Sequence, residues 1–372
     1  MSNTIFDIAV IRGDGIGGDV TDAALQVIDA AQRRVNGFTL RCRDLQGGAR
    51  YFQQTGRDLA PEAEEQAGEA DAILLGAIGL PEVRHADGTE IAPHLRLRDR
   101  FGLYAGVRPV KAYPNIPQRL ADPRADGIDL VILRESTEGL FYSAAAQGGG
   151  EVIDDREARD ILRITRSVSE RLHDFAFRLA RRRRGRGGRG RVTCVDKANV
   201  FRSYAFFRKI FDERAQAFPD IHADHAYVDA QALDLVRKPW EFDVLVTENM
   251  FGDILSDLAG GLVGGMGMAA CAEIGDEHAL FQPAHGTAPD IMGQDKANPL
   301  AAVLSGAMML DYLGERAGLE VAGTAAGLID AAVQTGFEQN RLRPMEFGGD
   351  MGTRAVSACL VDLIGEVDSA GI

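Results

Sequence analysis

The sequence contains few cysteines, no long apolar run and no excess of basic residues, and each of these shortages excludes a class of protein. Its four cysteines are far apart and form no Cys-x-x-Cys pair, so we expect reduced thiols instead of a disulfide framework. No run reaches the about 18 apolar residues that a membrane-spanning helix requires. With 41 basic and 55 acidic residues the net charge is −14, which argues against a protein built mainly to bind nucleic acid.

The amino terminus lacks the features of a targeting signal. It has no basic lead-in and carries Asp7 inside its apolar run, so we expect a first β-strand there instead of a signal peptide. At 372 residues the chain is long enough for two α/β lobes or one large domain. We therefore expect a soluble protein located in the cytoplasm.

Short apolar runs alternate with amphipathic segments along most of the chain. The runs that predict buried strands lie at residues 5–11, 72–76, 130–133, 192–195 and 244–247. The amphipathic segments include 156–183 and 200–217, which we expect to be helices. Such alternation is typical of an α/β sheet that is covered on both faces.

A glycine-rich turn follows the first predicted strand. Gly13, Gly15 and Gly18 match the Gly-x-Gly-x-x-Gly dinucleotide fingerprint, but a lone match is weak. The fingerprint also requires an acidic residue at the end of the next strand, and the only candidate, Asp44, lies too far along the chain. In addition, Asp14 would bring negative charge close to a pyrophosphate. We interpret the segment as a tight turn at the edge of a cleft.

Residues 181–191 form the only low-complexity segment and are strongly basic. Their composition resembles that of an RNA-binding tract, yet no aromatic residue is interleaved to stack on a base. We expect a solvated, mobile loop between a helix and a strand. RNA binding through this tract is a remote alternative function.

Two carboxylates in the segment 248–257 predict a metal site. Asp253 and Asp257 are four residues apart, so on a helix both leave the same face and repel each other. A hard divalent cation such as Mg²⁺ or Mn²⁺ would relieve this repulsion. A solvated helix face is the competing interpretation, and Asp229 is a candidate third ligand.

Three arginines and one lysine are further candidates for charged residues of a functional site. Guanidinium groups bind carboxylates in a bidentate manner, so Arg98, Arg108 and Arg134 together predict a di- or tricarboxylic acid as substrate. Lys197 follows a predicted strand, where a partly desolvated amine could serve as a base.

Three segments carry a resemblance to a known family: Asp-Lys-Ala-Asn-Val at 196–200, the acidic segment 248–257, and His-Gly-Thr-Ala-Pro-Asp-Ile at 285–291. The chain closely resembles the β-decarboxylating dehydrogenases, the isocitrate/isopropylmalate dehydrogenase family that also includes homoisocitrate and tartrate/D-malate enzymes. The resemblance implies an α/β, two-domain fold with a central mixed sheet flanked by helices and an active site in the interdomain cleft. Residues 1–103 and 264–372 would form the cofactor-binding domain, and 104–263 the domain for substrate, metal and dimerisation.

On the substrate side, the resemblance implies that Arg98, Arg108 and Arg134 hold the carboxylates, with His94 and Asn199 as further contacts. Family members select the C3 substituent with the helix before the first arginine, and the residues of this chain there match no family pattern cleanly. His94 suggests a small polar or anionic substituent. We expect 3-isopropylmalate or a close relative, with tartrate or D-malate and isocitrate or homoisocitrate as alternatives.

The resemblance also implies a shared active site. Asp253 and Asp257 would hold Mg²⁺ or Mn²⁺. Lys197, as a base, and Asp229, as a metal ligand, would reach into the site of a partner subunit, which implies a homodimer.

For the cofactor, the resemblance implies NAD. The residues expected to bind it lie in and after the 285–291 segment: His285, Gly286, Thr287, Ala288, Asp290, Ile291 and Asn298. Asp290 would accept hydrogen bonds from ribose hydroxyls and repel a 2′-phosphate, whereas NADP-using relatives have Lys-Tyr at the positions of Asp290 and Ile291.

The chain departs from the family at the residue that should protonate the enolate after CO₂ is lost. The family has a tyrosine seven residues after the third arginine, where this chain has Phe141, followed by Tyr142. Either Tyr142 reaches the site, or water or another group supplies the proton, or both rings only pack. Oxidation without efficient decarboxylation is therefore an alternative activity.

Overall fold

The computed structural model describes residues 3–145 and 150–367 of the chain. The strands in this part are β1 (Thr4–Gly13), β2 (Phe38–Asp44), β3 (Ala72–Ala77), β4 (Ala105–Lys111), β5 (Asp129–Glu135), β6 (Gly150–Ile153), β7 (Glu157–Asp160), β8 (Arg191–Asp196), β9 (His222–Tyr227), β10 (Val244–Thr247), β11 (Ala270–Ile274) and β12 (Ala279–Pro283).

The helices alternate with these strands. They are α1 (Gly17–Val35), α2 (Ala49–Thr55), α3 (Ala63–Glu69), α4 (Pro93–Arg100), α5 (Phe141–Ala145), α6 (Arg166–Gly185), α7 (Arg202–Ala215), α8 (Val228–Arg237), α9 (Asn249–Leu262), α10 (Leu300–Ala317), α11 (Glu320–Glu338) and α12 (Thr353–Glu366). Within the described residues, none of them has the length and apolarity needed to cross a membrane.

Ten strands form one mixed sheet in the order β2-β1-β3-β12-β11-β4-β5-β10-β8-β9. The first five in this order come from both ends of the chain and the last five from its middle. The two halves join where β11 runs antiparallel to β4, with Glu273 opposite Gly106. The predicted α/β fold with a central mixed sheet is confirmed.

Helices cover both faces of the sheet. Beside the first half, α1, α10, α11 and α12 pack against one another, and α6 and α7 do so beside the second half, with α8 and α9 on the other face. In β5, Val131 and Leu133 belong to one core, and Leu130 and Ile132 to the other. Burial on both sides explains why this strand is a continuous apolar run.

The helix predicted at 156–183 is displaced toward the carboxyl end. Residues 157–160 form β7, which pairs with β6 as an exposed ribbon, and the helix α6 begins only at Arg166. A ribbon forms here because the side chains of 157–160 are all exposed, so no helical apolar face exists to be buried.

The first five residues of the basic tract are helical, so the expectation of a mobile loop is wrong for residues 181–185. They form the last turns of α6, where Arg181 pairs with Asp220 and Arg183 with Asp243. These acids hold the guanidinium groups that an RNA phosphate would need, which disfavours the RNA-binding alternative.

Candidate active site

Three buried arginines lie around the junction between the two halves of the sheet. Arg98 is in the last turn of α4, Arg108 in β4 and Arg134 near the end of β5. Each is less than a tenth exposed. The Nε atoms of Arg98 and Arg108 are buried and have no hydrogen-bond partner among the described residues. Buried guanidinium groups with free donors fit an anionic ligand such as a carboxylate.

The start of α9 positions the two predicted metal ligands. Glu248 caps the helix by accepting hydrogen bonds from two backbone amides of the first turn, at 3.1 and 3.4 Å. Asp253 and Asp257 follow on one helix face, and Arg134 donates a hydrogen bond to Asp253. Burial, and after it the Asp253 charge, raise the pKa of the Asp257 carboxyl. Two oxygen donors that disfavour each other's charge fit a hard divalent cation.

Lys197 and Asp229, the two residues expected to act across a subunit interface, pair with each other. They follow the parallel strands β8 and β9, and Lys197 Nζ is 2.5 Å from Asp229 Oδ1. Among the described residues, no three His, Cys, Asp or Glu side chains lie close enough together to hold a metal ion. Asp229 therefore does not join Asp253 and Asp257 within one subunit, and Asn199 is exposed beside Lys197.

Phe141 and Tyr142 have different neighbours. The guanidinium carbon of Arg134 lies 5.0 Å from the centre of the Phe141 ring. The Tyr142 ring packs instead against Arg163, whose guanidinium carbon is 3.8 Å from the ring centre. Consecutive residues of a helix point about 100° apart, so the two rings cannot both face Arg134. An apolar ring thus lies beside Arg134, and a catalytic role for Tyr142 stays a prediction.

His94 lies one helical turn before Arg98, on the same face of α4. Its Nδ1 atom is buried and has no hydrogen-bond partner within residues 3–145 and 150–367. Burial, and then the charge of Arg98, lower the pKa of His94 to about 3. The ring is therefore neutral near pH 7 and has one nitrogen free to bind a polar group of a ligand.

The glycine-rich turn and the predicted cofactor loop pack against each other. The Ile16 amide donates to the Thr287 carbonyl at 2.8 Å, and the Thr287 hydroxyl donates to the Gly79 carbonyl at 2.7 Å. Gly15 has a φ of +55°, and a Cβ there would lie 2.0 Å from the Thr287 oxygen. Asp14 is buried and accepts hydrogen bonds from three backbone amides. The turn is a scaffold for the loop, in agreement with its interpretation as a tight turn.

The polar groups of the cofactor loop differ in exposure. Asp290 is exposed, whereas His285 is half-buried and its Nε2 atom has no hydrogen-bond partner among the described residues. Asn298 is buried and donates to Glu346 at 2.8 Å. An exposed carboxylate beside a ring nitrogen with a free hydrogen-bonding site suits the hydroxyl and base groups of a nucleotide.

Two residues of the site were not predicted from the sequence. Asn249 Oδ1 accepts hydrogen bonds from Nε and Nη2 of Arg134, at 2.9 and 2.7 Å, and so holds that guanidinium in place. Glu273 is fully buried in β11 and pairs with Arg98 and Arg108. The sequence could have indicated Glu273, because it is an acidic residue inside an otherwise apolar strand. No sequence pattern distinguishes Asn249.

Comparisons of sequence agree with this geometry. The isocitrate/isopropylmalate dehydrogenase family model matches residues 7–360. A 3-isopropylmalate/3-methylmalate dehydrogenase from Methanocaldococcus jannaschii is 40% identical over 347 residues, which cover 93% of this chain and 95% of the relative. A 3-isopropylmalate dehydrogenase from Moorella thermoacetica is 42% identical over 313 residues, covering 83% and 85%.

Solved structures agree as well. The isocitrate dehydrogenase from Methylococcus capsulatus superposes with a TM-score of 0.82 at 35% identity, covering 96% of this chain and 99% of its own. The apo form of a β-decarboxylating dehydrogenase from Thermococcus kodakarensis gives a TM-score of 0.78 at 38% identity, covering 97% and 96%. The chain therefore belongs to the isocitrate/isopropylmalate dehydrogenase family of decarboxylating dehydrogenases.

Proposed function

We propose that the protein catalyses the NAD-dependent and Mg²⁺- or Mn²⁺-dependent oxidative decarboxylation of a 3-substituted malate, either 3-isopropylmalate or a close relative. The observation that carries this proposal is the cluster of three buried arginines, of which Arg134 donates a hydrogen bond to Asp253 on α9. Guanidinium groups suit the two malate carboxylates, and the aspartates suit a cation chelated by the substrate. The names of the two sequence relatives support 3-isopropylmalate as the substrate.

The side chains of the site have complementary tasks in this reaction. Arg98, Arg108 and Arg134 hold the carboxylates by charge-assisted hydrogen bonds and orient C2 for reaction. When bound, the metal ion polarises the C2 oxygen and the nicotinamide accepts the hydride. Lys197 of the partner subunit removes the hydroxyl proton as the hydride leaves C2. The product has a carboxylate β to its new ketone, so the bond to that carboxylate breaks, CO₂ leaves and the electron pair passes into an enolate. A proton added at C3 of the enolate then gives the 2-oxo acid.

A homodimer is required for this assignment of Lys197 and Asp229. Exposed apolar side chains surround these two residues on the β8–α7 connection, α8 and α9, each between 46% and 60% exposed: Val200, Phe201, Leu233, Val236 and Ile254. Exposed apolar side chains on neighbouring elements are typical of an interface between proteins. Because Ile254 neighbours Asp253, a partner packed on this face would bring its own Lys197 and Asp229 close to the metal ligands.

We assign NAD to the loop around His285. The exposed Asp290 carboxylate accepts hydrogen bonds from ribose hydroxyls and repels the extra phosphate of NADP. The strand order supports the corresponding division of the chain. Residues 1–103 and 264–372 supply the half of the sheet that carries this loop, and residues 104–263 supply the other half.

The first test is a panel of 2-hydroxy acids: 3-isopropylmalate, D-malate, tartrate, isocitrate and homoisocitrate. Each is incubated with the enzyme, NAD and Mn²⁺ while NADH and CO₂ are followed together. We expect equal amounts of both products from 3-isopropylmalate or another 3-substituted malate. No NADH with any acid of the panel would contradict the proposed function.

A second candidate activity is oxidation without coupled decarboxylation, and the contact between Phe141 and Arg134 favours it. A phenyl ring has no proton to deliver to the enolate carbon. The same panel separates the two activities, because this one yields NADH and a 2-oxo diacid with little CO₂.

A further inference from the structure

Glu273 is a fully buried carboxylate in the middle of the sheet. It belongs to β11, opposite Gly106 of β4, where the two halves of the sheet join. An ionised carboxyl at such a position is costly unless cations hold it. The proposed catalytic steps do not use it, so its presence in an otherwise apolar strand needs another explanation.

The cations that hold Glu273 are the substrate arginines themselves. Its Oε1 atom lies 2.9 Å from Arg98 Nη2 and 3.6 Å from Arg108 Nη2. Burial alone would raise the pKa of Glu273, but the charges of Arg98, Arg108 and Arg134 outweigh burial and lower it. The carboxylate is therefore ionised, and it lies against Arg98 and Arg108 with no exposure to solvent.

The charge of this pocket matches two carboxylates. Three guanidinium groups contribute three positive charges, and Glu273 cancels one of them. Asp253, which pairs with Arg134, and Asp257 would be offset by the divalent cation of the proposed function. A malate with an uncharged C3 substituent brings two negative charges and leaves the pocket balanced. A third carboxylate on C3 would meet no remaining cation of the cluster and would face the negative charge of Glu273.

We propose that Glu273 determines specificity by reserving the pocket for dicarboxylic 2-hydroxy acids and excluding those that carry a third carboxylate on C3. This inference rests on the proposed function and names the substrate class within it. For a third carboxylate placed about 7 Å from Glu273, an effective dielectric constant of about 20 gives a repulsion that weakens binding by roughly 30-fold or more.

A purely structural role for Glu273 makes a different prediction. If the carboxylate only clamps Arg98 to Arg108, its removal loosens both arginines and weakens every acid to a similar degree. The ratio between tri- and dicarboxylic acids therefore distinguishes selection by charge from a clamp, whereas the loss of activity with one substrate does not.

The test compares the wild-type enzyme with Glu273→Gln, which keeps the size and removes the charge. The control is Glu277→Gln, an exposed acid of the same β-hairpin that pairs with Arg316. Two ratios are measured: kcat/KM for isocitrate over 3-isopropylmalate, and, without NAD, the affinity for isocitrate over D-malate by calorimetry with Mg²⁺. We expect both ratios to rise by roughly 30-fold in Glu273→Gln and to stay unchanged in the control.

Each other result has a definite meaning. Parallel losses for all acids with unchanged ratios would overturn the inference and leave the proposed function intact. A wild-type enzyme that binds and oxidises none of the acids would overturn the proposed function and the inference with it. If Glu273→Gln does not fold, Glu273→Asp keeps the charge, and a shift of its ratios toward tricarboxylic acids would equally contradict selection by charge.

Discussion

The guanidinium of Arg134 lies over the ring of Phe141, with 5.0 Å between the guanidinium carbon and the ring centre. The same arginine donates hydrogen bonds to Asn249 and Asp253. Phe141 is thus in contact with the residue that links the proposed substrate and metal sites. In the proposed reaction, the group that protonates the enolate carbon would therefore act beside the apolar ring of Phe141.

The first prediction concerns that proton. Replacing Phe141 with Tyr places a phenol beside Arg134, where it can donate a proton to the enolate carbon. We therefore expect the variant to release one CO₂ per NADH and to have a kcat about tenfold or more above that of the wild type. Tyr142→Phe is the matched variant. Because the Tyr142 ring packs on Arg163, we expect its kcat to change by less than about threefold, and a large loss of CO₂ release would instead assign the acid to Tyr142.

The second prediction concerns the shared site. Lys197→Ala and Asp253→Asn should each keep about a hundredth or less of the wild-type activity as homodimers. When the two variants are unfolded and refolded together, half of the dimers are hybrids with one intact site each, so about a quarter of the wild-type activity should return. If Lys197 acts within its own chain, both sites of a hybrid are defective and no activity returns.

The third prediction concerns the metal. Asp253→Asn removes one charged metal ligand and leaves Arg134 with an uncharged partner. We therefore expect kcat/KM to fall about 100-fold or more and the Mn²⁺ concentration for half-maximal activity to rise. The measurement is a Mn²⁺ titration of activity. Asp350→Asn, an exposed acid paired with Arg343, serves as the control and should titrate like the wild type.

The fourth prediction concerns cofactor choice. Asp290→Asn removes the carboxylate that would repel a 2′-phosphate and weakens its hydrogen bonds to ribose. We expect the ratio of kcat/KM for NADP over NAD to rise about tenfold, mainly through a higher KM for NAD. An unchanged ratio would show that Asp290 does not contact the ribose.

The fifth prediction concerns stability and pH. His173 is fully buried in α6, and burial lowers its pKa to about 3 from an ordinary value of 6.5. Between these values the unfolded chain binds the proton and the folded chain does not, so stability is complete above pH 6.5 and falls as the pH is lowered through it. One such group removes about 2 kcal/mol of unfolding free energy between pH 8 and pH 5.

Urea unfolding at several pH values measures this effect. His173→Gln should be less stable at pH 8, because its ring contacts with Phe207 and Phe211 are lost, but its stability should fall less steeply toward pH 5. The exposed His222→Gln is the control and should keep the wild-type slope. Equal slopes in all three proteins would show that His173 is not the group that titrates.

The sequence by itself determined the features that depend on local spacing. Asp253 and Asp257 leave one face of α9 because four residues make about one helical turn. The strand β5 was recognisable because burial on both faces requires an uninterrupted apolar run. Composition and a few ordered motifs were enough to predict the fold class and the family. The same motifs showed that the segment 285–291 resembles the cofactor loop of that family.

Only the tertiary structure decided the relationships between distant segments. The pairing of β11 with β4 brings Glu273 to Arg98 and Arg108, and no local pattern records which strand lies beside which. The directions of Phe141 and Tyr142 depend on how α5 packs against its neighbours. Strand pairing and packing are non-local, so a site built from several strands and helices emerges only when the chain has folded.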